Sequence, residues 1–135
     1  MNDLATTFVH DFCGVVREWA ETGSRVICNP APTDTDQDYI ARVADDDKAR
    51  SALNAMGYRI EGHPRFYTGN DSGGFRSYRK GEVNLITTPD FEFYRLFCNA
   101  TALARRFNLL VKADRIALFQ LVLYGVDAQD WEYKA

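Results

Sequence analysis

Residues 23–43 read G-S-R-V-I-C-N-P-A-P-T-D-T-D-Q-D-Y-I-A-R-V, and the acidic alternation in their second half decides how the rest of the chain is understood. Asp34, Asp36 and Asp38 stand two residues apart and run into the apolar Tyr39, Ile40, Ala41 and Val43. A strand over 36–43 places alternate side chains on one face, so Asp36 and Asp38 project together with their Cα atoms about 7 Å apart. Carboxylates held so close repel unless something positive sits among them. Two of them can grip one or two magnesium ions while substrate phosphates complete the octahedron. An EF-hand loop is a rival reading, with Asp34, Asp36 and Asp38 at its first three ligand positions and Asp45 at its last. It fails because Tyr39 stands where the loop needs glycine, the last ligand is not the bidentate glutamate, and Pro30 and Pro32 fall in the incoming helix. A merely solvated acidic turn is the remaining alternative.

Working outward toward the N-terminus, Leu4, Phe8, Phe12, Val15, Val16 and Trp19 recur at three- and four-residue steps. This spacing predicts an amphipathic helix over 4–20, ended at Thr22-Gly23. Gly23 is then either a helix C-cap or part of a phosphate-holding turn. Residues 25–28 are β-branched and predict a short strand, after which Asn29-Pro30-Ala31-Pro32 enforces an extended turn. Toward the C-terminus, Asp45, Asp46 and Asp47 read as the capping start of a helix over 48–56, closed by Gly57. A strand begins at 58–60, and 61–74 has the composition of a loop.

Residues 75–78 and 82–87 predict two strands joined by a turn at Arg79-Lys80-Gly81. On the second, Glu82, Asn84 and Ile86 share a face. Arg76, Tyr78, Arg79 and Lys80 could touch a triphosphate or stack on a base; a solvated hairpin accounts for them equally well. Thr88-Pro89 predicts the start of a long helix through Phe107, broken at Asn108-Leu109, and Asp114 caps a last helix ending at Gly125. Residues 127–135 read as a polar tail. Lys112 and Arg115 read as surface cations, and His10 and His63 as structural, since neither histidine has a partner at useful spacing.

The 135 residues suit one domain, and 46% hydrophobic content suits an ordinary core. A net charge of -3 supplies no broad positive field for a nucleic-acid backbone, so any such contact is local. Cys13, Cys28 and Cys98 are odd in number, lack zinc spacing and read as free thiols in a reducing compartment. With no basic, apolar leader and no apolar run long enough to span a bilayer, the expected location is the cytoplasm.

Gly-Ser, an intervening loop, and then S/T-D-x-D-x-D entering an apolar strand resembles the signature of the DNA polymerase β-like nucleotidyltransferase superfamily. The likeness is greatest to small nucleotidyltransferase-like proteins of tailed bacteriophages, with the downstream R-K-G-E-V-N-L-I strand. It extends from Gly23 to about Gly125. The resemblance implies a minimal nucleotidyltransferase fold of α/β (α+β) class, a small mixed sheet covered by three or four helices. In that fold, 1–22 is an N-terminal helix, 23–87 the sheet region, 88–125 the C-terminal helices and 126–135 the tail. It assigns Gly23 and Ser24 to phosphate, with Arg79 and Lys80 as further phosphate contacts, and Asp36 and Asp38 to Mg2+ or Mn2+. A third acid on a neighbouring strand completes the family's metal triad. Here the central position is Asn84, an amide that coordinates magnesium without charge and is no general base, and Glu82 lies two residues away. The implied reaction moves a nucleoside monophosphate from a nucleoside triphosphate to an acceptor hydroxyl on RNA, protein or a small molecule. The alternative is a non-catalytic protein of the same fold that binds or inhibits a host macromolecule.

Overall fold

The structure, a computed structural model, describes residues 15–33, 36–61 and 75–125. Among these, five strands form one mixed sheet and four helices cover it. The strands are β1 (Val16–Thr22), β2 (Gln37–Val43), β3 (Arg59–Glu61), β4 (Arg76–Lys80) and β5 (Val83–Thr88). The helices are α1 (Ser24–Ile27), α2 (Asp46–Ala55), α3 (Phe91–Arg106) and α4 (Lys112–Tyr124). Spatial order is β1-β2-β5-β4-β3, with β2 and β5 parallel and every other pair antiparallel. The α+β architecture, a small mixed sheet covered by helices, is the one expected.

Pleating sorts the sheet into two apolar faces. Ile40 and Ile86 lie under α3 and α4, where Phe93, Phe97 and Phe119 fill the layer. Phe97 is fully buried, and its ring meets that of Phe119 edge-on with centroids 4.9 Å apart. On the reverse face Tyr39, Ala41, Tyr78, Val83 and Leu85 pack against Leu53 of α2 and Tyr58. Asp38 and Asn84 share the α3 side with Ile40 and Ile86 but stand at the start of their strands, where the helical cover ends. Parallel pairing sets Asp38 directly beside Asn84, and antiparallel pairing sets Thr22 on its other flank.

Several local expectations are corrected. Residues 4–14 lie outside the described residues, but the rest of the expected N-terminal helix is strand β1. The three-residue step from Val16 to Trp19 continues a helical count, yet seven residues are too few for that count to compete with a sheet that has a free edge at β2. In the strand, Trp19 packs edge-on against Tyr39 at 6.1 Å, while Thr22 bonds Thr101 of α3 across 2.7 Å on the opposite face. The expected strand over 25–28 is the single helical turn α1, because Gly23 turns the chain with φ 85° and its carbonyl accepts from Val26 and Ile27, each at 3.0 Å. In the expected hairpin the turn is Gly81-Glu82, and Arg79 and Lys80 belong to β4. The cap of α3 is Asp90 rather than Thr88, which ends β5, and α4 starts at Lys112 without a side-chain cap, leaving Asp114 in its first turn. The expected loop at 61–74 and the tail lie almost wholly outside the described residues, as do His10, His63, Cys13 and Asp34.

The acidic triplet does what its position suggests. Asp45 adopts an extended conformation and its carboxylate accepts from Lys48 N at 2.9 Å, with Asp46 and Asp47 in the first turn of α2. Asp45→Ala leaves that amide without its cap and should cost about 1 kcal/mol of stability, measured by urea denaturation with an unchanged m-value.

Candidate functional site

Asp36 lies one residue before β2 and Asp38 one residue inside it, so both project from the same side of the strand. Asn84 converts this placement into contact. Its side-chain nitrogen donates to Asp38 Oδ1 at 2.9 Å and to Asp36 Oδ2 at 3.2 Å. One amide group therefore reaches both carboxylates, and its two protons supply what two neighbouring anions need. Arg79 adds a full charge: it is the cross-strand neighbour of Asn84, and its Nη2 donates to Asp36 Oδ2 at 3.0 Å. The rest of the guanidinium is held by Glu61 Oε2 at 3.2 Å through Nε and by the Gly81 carbonyl at 3.1 Å through Nη1.

The two carboxyls are driven in opposite directions. Arg79 hydrogen-bonding holds Asp36 below its ordinary range, against a smaller opposing effect of burial, with Asn84 adding to the lowering. Burial pushes Asp38 upward, outweighing the Asn84 hydrogen bond, and the nearby charge of Asp36 pushes the same way. A carboxyl whose folded value is raised binds a proton more readily folded than unfolded, so its contribution to stability declines as pH rises from the ordinary carboxylate value to the raised one. For Asp36 the sign reverses: its contribution is present above the ordinary value and is lost as pH falls through the lowered one. Asp38→Asn should therefore raise the melting temperature in metal-free buffer near neutral pH. It should also remove the decline that begins as pH rises above the ordinary carboxylate value, while keeping the acid-side loss due to Asp36. Thermal melts across a pH series in EDTA check both parts.

Gly23 and Ser24 arrive on the opposite flank of Asp38. Gly23 follows Thr22, the β1 partner of Asp38, and its Cα packs against the Asp38 side chain so closely that a Cβ there would lie 2.8 Å from both Asp38 Cβ and Cγ. Ser24 begins α1 and is half-buried. Gly23, Asp36, Asp38, Asn84 and Arg79 are thus brought together, with Ser24 alongside. Two residues expected at the site are not. Glu82 is exposed in the turn; its carbonyl accepts from Gln37 N at 2.8 Å, and among the described residues its carboxylate bonds no member of the site. Lys80 is on the reverse face, where its ammonium donates to the Met56 carbonyl at 2.8 Å and lies 5.6 Å above the Tyr58 ring. Strand alternation explains this: Arg79 and Lys80 are consecutive in β4, so only one of them faces Asn84.

Glu61 was not read from sequence as part of the site. The strand expected to begin at 58–60 reaches it, but only the pairing of Glu61 with Ser77 puts it on the face occupied by Arg79.

The donor set suits a hard divalent cation, since magnesium is commonly held by one or two carboxylates with phosphate oxygens and water filling the remaining positions. Asp36 and Asp38 would be its ligands, with the Asn84 amide oxygen available if the side chain turns over. Among the described residues no group of three His, Cys, Asp or Glu side chains is placed to hold a metal. No described helix is long and apolar enough to cross a membrane.

No protein-family model matches this chain, and no curated protein matches it at a significant level. Among solved structures it is similar to the crystal structure of the conserved protein GrpB from Enterococcus faecalis, with a TM-score of 0.57 and 17% identity. The match covers 76% of this chain and 63% of that one, so the chain spans less than two thirds of that protein's length. At that identity the likeness is one of fold alone, a small mixed sheet covered by helices.

Proposed function

We propose that the protein binds a nucleoside triphosphate together with Mg2+ or Mn2+ and transfers its nucleoside monophosphate to an acceptor hydroxyl, breaking the α–β phosphoanhydride bond and releasing pyrophosphate. The observation that carries this reading is the meeting of Asp36 and Asp38 on one amide group, beside a Gly-Ser turn, at the ends of two parallel strands. A metal bound there supplies charge neutralisation of the phosphates and a lowered pKa for the acceptor hydroxyl. Asp36 and Asp38 would hold the cation. Ser24 and the first turn of α1 contact the phosphate tail. Arg79 keeps Asp36 ionised and its guanidinium would be available to an anionic substrate. Partial burial of Asp38 strengthens its interactions with charged groups.

A second reading has its own support. Asn84 donates to both carboxylates where the family pattern has an acid, and Arg79 already neutralises Asp36. Those contacts would suit a non-catalytic protein of this fold whose role is to bind a macromolecule. Calorimetry with ATP and GTP separates the two. Magnesium-dependent binding by the wild type that Asp36→Ala lowers by about a hundredfold, followed by transfer of labelled nucleotide in a lysate, supports the enzyme. A wild type that binds neither nucleotide in the presence of magnesium sinks it.

A further inference from the structure

A cavity of about 490 Å³ opens between the edge strand β1 and helix α3. Its floor is Ala20 and Ile40, its wall includes Val26 of α1, and its roof is Cys98 and Thr101. Arg105 and Arg106, in the last turn of α3, stand at its mouth. The volume lies within the range of pockets that enclose small organic ligands.

The charge pattern is what gives the cavity a ligand class. Arg42, Arg76, Arg79 and Arg95 are paired with carboxylates, and Arg115 donates to the Leu109 carbonyl. Arg105 and Arg106, like Arg17, Arg50 and Arg59, make no such bond with a described residue, but of these only Arg105 and Arg106 border this opening, whose interior is mostly apolar. Cations at a helix C-terminus offset its carbonyl dipoles, but that role does not require both to border a concave apolar space. Two guanidiniums at an apolar mouth recognise a phosphate attached to a body that fills the interior. Glu21, also on the rim, can accept from a hydroxyl of that body.

We infer that this cavity is a second binding site, distinct from Asp36 and Asp38, for a phosphate monoester with a planar or apolar body of nucleoside size. It requires no metal. The site also adjoins the acidic pair along the chain. Ile40 in its floor is two residues along β2 from Asp38, and Val26 in its wall belongs to the helical turn that Gly23 begins.

The test uses the whole protein in EDTA, titrated with adenosine 5′-monophosphate and, separately, with inorganic phosphate, by amide-resolved NMR. Adenosine monophosphate should shift Val26, Ile40 and Thr101 and bind at least about tenfold more tightly than phosphate alone, because the body adds buried apolar area. The double variant Arg105→Ala/Arg106→Ala should weaken it by about tenfold or more. Ala102→Trp, at an exposed position lining the cavity, should block it while leaving the folded spectrum intact. Asp36→Ala should leave it unchanged. No binding, equal affinity for phosphate alone, indifference to Ala102→Trp, or loss on Asp36→Ala would each overturn the inference. Magnesium-dependent ATP binding is measured separately, so failure of one site is distinguishable from failure of the other.

Discussion

Gly23→Ala should lower stability by about 3 kcal/mol or more and abolish any metal-dependent binding at Asp36 and Asp38, although it adds one methyl group to a surface turn. Two independent costs meet at this residue. Its φ of 85° with ψ near -176° belongs to a region that L-residues with a Cβ rarely enter. The new Cβ would also stand 2.8 Å from Asp38 Cβ and Cγ. Rotating the carboxylate cannot relieve this, because Asp38 Cβ is fixed by the backbone of β2. Relief would have to come from the backbone, by parting β1 from β2 at the Thr22–Asp38 pair or by unwinding α1, whose Val26 and Ile27 amides bond the Gly23 carbonyl. Denaturant melts of the variant, set beside those of Gly81→Ala, decide the matter. Gly81 also has positive φ, 60°, but nothing lies within 4 Å of its would-be Cβ, so it reports the backbone cost alone. A Gly23→Ala loss no larger than that of Gly81→Ala would show that the close approach to Asp38 carries no energy.

That comparison also shows which parts of the molecule the sequence could announce. The Asp36–Asp38 spacing and the β-branched apolar run after it specify a strand and a shared face by local rules alone, and β2 follows them. The Asp45 cap and the glycine at the end of α2 are likewise local. Residues 16–22 were illegible for the opposite reason: their apolar spacing fits a helix, and what makes them a strand is a ladder to β2 that no window of sequence contains. At the site, strand alternation foretold that Asn84 could face the acidic pair. It could not say that Arg79 rather than Lys80 would, since that depends on where the hairpin turns, and the turn sits one step later than its Arg-Lys-Gly composition suggests. Glu61 was out of reach altogether, because its role depends on register with β4 and not on any neighbour in the chain.

The second large effect concerns Asn84 and has opposite signs with and without metal. In EDTA near neutral pH, Asn84→Asp removes the donor that satisfies Asp36 and Asp38 and puts a third anion in its place. Losing two hydrogen bonds to charged, half-buried groups and adding repulsion should cost about 2–4 kcal/mol. Lowering the pH should restore much of this, since a protonated carboxyl at that position can again donate to Asp38; the variant therefore loses stability more steeply than the wild type as pH rises. Magnesium should reverse the ranking of responses. Three carboxylates neutralise a divalent ion better than two, so the variant should gain about 2.7 kcal/mol when the ion is present at a hundred times its dissociation constant. The wild type, with Arg79 on Asp36 and an amide between the acids, should respond much less until a nucleotide supplies the missing negative charge. Melting curves over a magnesium series, with and without ATP, measure all of these terms in one experiment. If Asn84→Asp is as stable as the wild type in EDTA and indifferent to magnesium, then the amide does not hold the two acids together, and the cation site proposed here loses its structural basis.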